Sequence, residues 1–160
     1  MRGVPLRALT HHFDELFQAV ASRVSEDVRD VWNEAVAAPD WEGPPVWLHG
    51  DLHPANVVVS DGTLSGVIDF GELCAGDPAT DLAAAWLLLP AGADSRFFDA
   101  YAYAYANTDE AMMRRARGWA VLRGLSLVGI GQAWERGLPG GQPTWGRTGR
   151  MTLDRALASS

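Results

Sequence analysis

The residues able to do chemistry are concentrated in two short segments, His49-Gly50-Asp51-Leu52-His53-Pro54-Ala55-Asn56 and Val67-Ile68-Asp69-Phe70-Gly71. Asp51, Asn56 and Asp69 offer two carboxylates and a carboxamide oxygen. These are hard donors suited to Mg²⁺, which keeps some of its water and shares the oxygens of a bound phosphate. Phosphoryl transfer needs such a metal, together with a carboxylate that orients or deprotonates the attacking hydroxyl. Taken singly, each residue has a plainer reading, because Asn and Asp before a strand are common turn formers. The case rests on the ordered set.

A β-hairpin is what would bring the set together. The β-branched runs Val57-Val58-Val59 and Gly66-Val67-Ile68 flank Asp61-Gly62, a turn signal. A hairpin returns the chain to its start, so residues just before and just after it can converge. Upstream, apolar residues recur at helical spacing from Leu9 to about Ala38, which predicts one or two amphipathic helices with a break near Ser25. Pro39-Asp40-Trp41-Glu42-Gly43-Pro44-Pro45 stops them, and Val46-Trp47-Leu48 leads into His49. Downstream, Asp77 can cap a helix that starts with Pro78 and must end before Pro90. Almost every residue between is apolar, so that helix should be buried on all sides. A helix from Asp94 carries Phe97, Tyr101 and Tyr105 at i, i+4 spacing. A long one runs from Asp109 to about Arg136, with Gly129 and Gly131 as points where it could loosen. A Gly/Pro-rich loop over 137–149 and a short helix from about Arg150 to Ala158 complete the expectation. No internal repeat is present.

The pattern H-G-D-x-x-x-x-N followed by a hairpin and I-D-F-G resembles the aminoglycoside phosphotransferase family, whose core is similar to that of protein kinases. The Asp51-to-Asn56 interval also matches the protein-kinase catalytic loop, and Asp69-Phe70-Gly71 is similar to its D-F-G. Gly76-Asp77-Pro78 with Asp81-Leu82 matches the family's G-D-P-x-x-D-L segment. The resemblance implies an α+β fold dominated by helices, the C-terminal lobe of a protein-kinase-like protein, with one small hairpin carrying the site. It implies transfer of the γ-phosphate of ATP (or GTP) to a hydroxyl of a small molecule, an aminoglycoside-like antibiotic among the candidates. In that scheme Asp51 is the catalytic base and Asn56 and Asp69 bind Mg²⁺. Asp81, a buried charge that must be hydrogen-bonded, holds the catalytic loop through its backbone N–H groups. Asp77 caps a helix and His49 braces the loop, while His53 is expected to pack and hydrogen-bond within it, approach to substrate or nucleotide being the alternative. The acceptor pocket would lie in the helices after Asp81, where no local signature names the acceptor.

Composition narrows the alternatives. The net charge of −7 disfavours a nucleic-acid or anionic-membrane surface, and fits either a cationic substrate or an ordinary solvated surface. The longest apolar run, around Leu82 to Leu89, is far short of a bilayer span. The N-terminal Met1-Arg2-Gly3-Val4-Pro5 has no signal-peptide pattern. Cys74 is the only cysteine, so no internal disulfide forms and a reducing, cytoplasmic setting is expected. Gly50-Asp51-Leu52-His53 also fits the G-D-x-H fragment of two-metal phosphoesterases, but no histidine follows His53 and only His11-His12 precede His49. Gly129-Ile130-Gly131 lacks the preceding strand of a nucleotide loop. The seven tryptophans are scattered through apolar elements and read as packing.

Members of the family place a β-rich lobe ahead of the residues seen here, one that covers the nucleotide and supplies a lysine to its phosphates. This chain has no lysine, and all thirteen basic residues are arginine. The expectation is therefore a single C-terminal, acceptor-binding lobe over residues 1–160, weakly active or inactive alone, with the nucleotide-gripping lobe absent. Self-association through the surface that such a lobe would cover is also expected. A non-catalytic remnant or assembly partner that keeps the site is the alternative.

Overall fold

The computed structural model describes residues 3–105 and 109–159; Met1 and Arg2 of the N-terminal stretch considered above lie outside them. The helical spacing from Leu9 to Ala38 folds as α1 (Thr10–Val20) and α2 (Asp27–Ala37), separated by a short 3-10 turn at Ala21–Arg23. Phe13, Phe17 and Val20 of α1 and Val28, Val31, Trp32 and Ala35 of α2 are buried. The rings of Phe13 and Trp32 stack with centroids 4.4 Å apart. Both helices pack on α6 (Glu110–Glu135), the central helix of the fold. Apolar residues lie all round α6, as befits a helix enclosed by its neighbours. Asp109 caps it, its carboxylate accepting from Met112 N at 2.6 Å.

Neither Gly129 nor Gly131 loosens α6, which runs unbroken. Gly131 serves close packing instead: a Cβ there would lie 2.3 Å from Gly146 Cα. Gly149 meets α6 in the same way, with Gly124 O 2.6 Å from where its Cβ would be. These contacts explain a boundary that differs from expectation. The last helix, α7 (Trp145–Ala158), begins within the stretch read as loop, because Gly146 and Gly149 face the α6 crossing.

Four short strands form two antiparallel pairs. β1 (Val46–Leu48) pairs with β4 (Cys74–Gly76), Leu48 opposite Cys74. β2 (Val57–Ser60) and β3 (Thr63–Val67) make the hairpin, with Ser60 opposite Thr63. Asp61 and Gly62 have φ of 51° and 76°, the two left-handed residues that a type I′ turn requires. An irregularity between Val58 and Val59 shifts the register by one residue, and pairing continues with Val58 opposite Gly66 and Val57 opposite Val67.

Pro78 and Pro90 punctuate the next element as expected, but it is split into α3 (Ala79–Leu82) and α4 (Ala84–Leu88). The ladder tightens at the break, where Trp86 N bonds Ala83 O at 3.1 Å, an i to i+3 contact. Residues 78–87 are buried except Asp81, which is half-buried. α5 (Asp94–Tyr105) follows. Ser159, just past α7, ties three elements together by accepting from Trp86 Nε1 at 2.7 Å and donating to Asp94 at 2.7 Å. The architecture is a helical lobe with two small strand pairs at one end.

Candidate functional site

Asp81 fixes the segment in which Asp51 lies. Its carboxylate accepts from His49 N at 2.6 Å and from Gly50 N at 2.9 Å. The same segment is held from below by the β1–β4 pair, and Gly50 is the residue that permits the fit. Its φ is +79°, and a Cβ would fall 2.4 Å from Glu72 O. No other residue type closes this approach of the two loops.

His49 is buried and spans both loops. Nδ1 accepts from Asp51 N at 3.2 Å, so the ring proton resides on Nε2, which donates to Ile68 O at 2.8 Å. The ring also lies 4.8 Å from that of Phe70. Residues 49–51 are thereby coupled to the residue before Asp69.

Asn56 opens the hairpin. Its side-chain nitrogen donates to Asp51 O at 2.9 Å and lies 3.4 Å from Asp51 Oδ2. Its backbone oxygen accepts from Ile68 N at 3.0 Å, so it sits across the ladder from Ile68, one residue short of Asp69. Asp69 is exposed, with a left-handed backbone (φ 61°, ψ 66°), and Oδ1 accepts from Gly71 N at 3.4 Å. Aspartate is among the few side chains that adopt this conformation at modest cost, through such a local hydrogen bond.

The donor set fits a divalent cation of the Mg²⁺ type. The Asn56 amide nitrogen is engaged by Asp51, which leaves the amide oxygen as the atom to meet a cation. Asp69 adds a carboxylate on the neighbouring strand end. Among the described residues no group of three or more His, Cys, Asp or Glu side chains gathers around one point. Two protein oxygens are few for Ca²⁺ or Zn²⁺, yet suit an ion that takes phosphate oxygens and water for the rest of its shell.

Asp77 has a second partner that the sequence did not reveal. Its Oδ1 accepts from Ala79 N at 3.0 Å in the first turn of α3, and Oδ2 accepts from Arg115 Nε at 2.7 Å. Arg115 is 5% exposed and also donates to Pro39 O, clamping the start of α3 to α6 and to the loop after α2.

The most consequential residue missed by sequence reasoning is Arg123, in the middle of α6. It donates to Asp51 Oδ1 at 2.9 Å and to Gly50 O, with its side chain only 10% exposed. His53 approaches the other carboxylate oxygen, Nε2 to Oδ2 at 3.3 Å, while its Nδ1 accepts from Ala55 N. Its ring meets Trp145 edge-on at 5.3 Å. Nothing in a single arginine of a long helix signals such a role.

Asp51 and Arg123 form part of the wall of a cavity of about 400 Å³ between the loop of residues 49–56, α1, α6 and α7. His12 and Leu16 of α1 line it, as do Trp119 and Trp145. The cavity wall draws on the first helix as well as on helices after Asp81, and two tryptophans read as packing are also cavity walls. The strand pairs expose Trp47 (78%), Val59 and Leu64, and the turn between β3 and β4 exposes Phe70 and Leu73.

A mostly helical lobe with two small strand pairs, in which one hairpin joins Asn56 to Asp69 and Asp51 borders a cavity, has the fold of the helical lobe of protein-kinase-like proteins. Residues 3–125 match the model of the phosphotransferase enzyme family, and the chain belongs to that family. Among solved structures it is similar to the macrolide 2′-phosphotransferase MphH from Brachybacterium faecium, as apoenzyme. The TM-score is 0.52 at 20% identity, over 96% of this chain and 52% of that one. The chain therefore spans about half the length of the structure it matches. No curated protein matches it.

Proposed function

We propose that this lobe serves transfer of the γ-phosphate of ATP (or GTP) to a hydroxyl of a small molecule. The observation that carries the reading is the position of Asp51. Its carboxylate lies 3.4 Å from the Asn56 amide nitrogen on the hairpin side, and the residue also borders the cavity, which supports one carboxylate serving both a cation site and an acceptor site. The acceptor hydroxyl, seated in the cavity, is oriented by Asp51 and gives its proton to that carboxylate. Asn56 and Asp69 hold Mg²⁺, which supplies charge neutralisation at the phosphates. Asp81 and His49 keep the loop rigid, and Asp77 anchors the helix that carries Asp81. Rigid support of this kind matters because phosphoryl transfer depends mainly on positioning and electrostatics.

The nucleotide is gripped from above by a β-rich lobe. Its place is the apolar surface of Trp47, Phe70 and Leu73, since large exposed patches of this kind recruit partners or self-associate. No helix among the described residues is long and apolar enough to cross a membrane. A reducing cytoplasm suits the one cysteine, and the acidic composition speaks against nucleic acid as partner.

The test is an ATP-consumption assay over aminoglycosides, macrolides and amino-alcohols, with this chain alone and with an N-terminal lobe of the family added. Turnover is expected only in the second case. A compact lysine ammonium is not replaced by the planar fork of arginine, and each 1.36 kcal/mol of lost transition-state binding is about tenfold in rate. Robust turnover by the chain alone would mean that it completes a nucleotide site by itself.

A further inference from the structure

Trp145 stands where two cavities meet. It is the first residue of α7, half-buried, with its ring edge-on to that of His53 at 5.3 Å. His53, Leu127 and Trp145 line the cavity beside Asp51 and also line a second one of about 250 Å³. Pro54, Ala55, Thr144 and Thr148 complete the second cavity, and no carboxylate or guanidinium is among its described lining residues.

The indole and the imidazole form the partition between the two spaces. Rings in edge contact at this distance leave no passage for a third ring between them. The partition is held on both sides. Gly146, next in the chain, lies so close to α6 that a Cβ on Gly131 would fall 2.3 Å from Gly146 Cα and 3.6 Å from Trp145 C. The backbone that carries the indole therefore has no room to shift toward α6. His53 is anchored as well, since Nδ1 accepts from Ala55 N at 3.2 Å and Nε2 lies 3.3 Å from Asp51 Oδ2. Because His53 reaches Asp51 directly, a molecule bound at that carboxylate meets the partition at once.

We propose that Trp145 is a specificity-determining residue: its indole, closed against His53, confines a molecule bound beside Asp51 to the first cavity and shuts out acceptors that carry an uncharged extension on the His53 side. This rests on the phosphotransferase reading of the first cavity as the acceptor site. The second cavity suits an uncharged group because it offers apolar surface and hydroxyls. The Thr148 hydroxyl donates to Thr144 O at 3.3 Å and keeps its oxygen as an acceptor. A charged group would find no carboxylate or guanidinium there to replace its lost water. Shortening the side chain at 145 joins the two spaces and lengthens the acceptor that fits.

The test is a methyl-resonance titration of the chain without nucleotide or Mg²⁺. The probes are benzyl alcohol and 4-biphenylmethanol, each with one hydroxyl and no charge. Leu16, Leu87 and Ile130 report on the first cavity alone, and Ala55, Thr144 and Thr148 on the second alone. In the wild type both probes are expected to shift the first set and leave the second unmoved. In Trp145→Ala, 4-biphenylmethanol should shift both sets. Its affinity relative to benzyl alcohol should rise about tenfold, as burial of a further ring would give. Trp145→Leu keeps an apolar side chain too short to meet His53, and should show the same spread to a smaller degree; it serves if Trp145→Ala does not fold. Confinement in the wild type is a test that needs no variant. Shifts at Ala55 and Thr148 in the wild type, shifts confined to the first set in a folded Trp145 variant, an unchanged affinity ratio, or no binding of either probe would each overturn the proposal. Phosphoryl transfer is assayed separately. Transfer without confinement removes the partition alone, and confinement without transfer removes the enzymatic reading alone.

Discussion

Asp81→Ala is expected to lower the stability of the chain by about 1–3 kcal/mol for each backbone donor left without its acceptor. Two donors, His49 N and Gly50 N, lose it together. Both residues are buried, so water does not readily take the carboxylate's place. Against the 5–15 kcal/mol typical of a whole domain, that is a substantial part of the total. Asp81→Asn, which keeps an acceptor oxygen, should recover part of the loss. Asp51 is a different case. Alanine there would strand the nearly buried guanidinium of Arg123, so asparagine, which leaves an oxygen facing it, is the cleaner replacement. Denaturation curves of Asp81→Ala, Asp81→Asn and Asp51→Asn should place Asp81→Ala as the least stable. Equal losses in Asp81→Ala and Asp51→Asn would mean that the supporting and the reacting carboxylate have been confused.

In an assembled enzyme, with a nucleotide-gripping lobe supplied, Asp51→Asn is expected to cut kcat by about 100- to 10,000-fold, the usual contribution of a positioned general base. KM for the acceptor should change far less, because the cavity walls and the Gly50 O clamp from Arg123 are retained. A fall in kcat with little change in KM marks an interaction made chiefly in the transition state. Steady-state kinetics of the two forms measure this split. A loss smaller than about tenfold would remove Asp51 from the reaction.

Much of the site was legible because its residues are consecutive or joined by a hairpin. Asp61-Gly62 dictates a type I′ turn, and that turn fixes where Asn56 and Asp69 end up relative to one another. Pro39 and Pro90 mark element ends by simple backbone chemistry. What the sequence hid depends on tertiary contact. Cys74-Ala75-Gly76 has no strand signature and becomes β4 only because β1 lies beside it. Gly146 and Gly149 look like loop residues, but their lack of a Cβ is what lets α7 approach α6. Arg115 and Arg123 are ordinary in sequence, two arginines of a long helix. Their importance comes from facing Asp77 and Asp51, which are distant in the chain. The part played by α1 in the cavity was hidden likewise, since helical periodicity shows a buried face without showing that a space lies next to it.

The most direct test of the account is whether Asn56 and Asp69 share a cation. Mn²⁺, added with and without ATP, should broaden amide resonances around Asn56 and Asp69 in the wild type. The effect should be weak for the ion alone and stronger when phosphate oxygens complete its shell. In Asp69→Ala the broadening should disappear from both loops, while the rest of the spectrum shows an intact fold. Unchanged broadening at Asn56 in Asp69→Ala, with the fold intact, would contradict the assignment of these residues as one metal site.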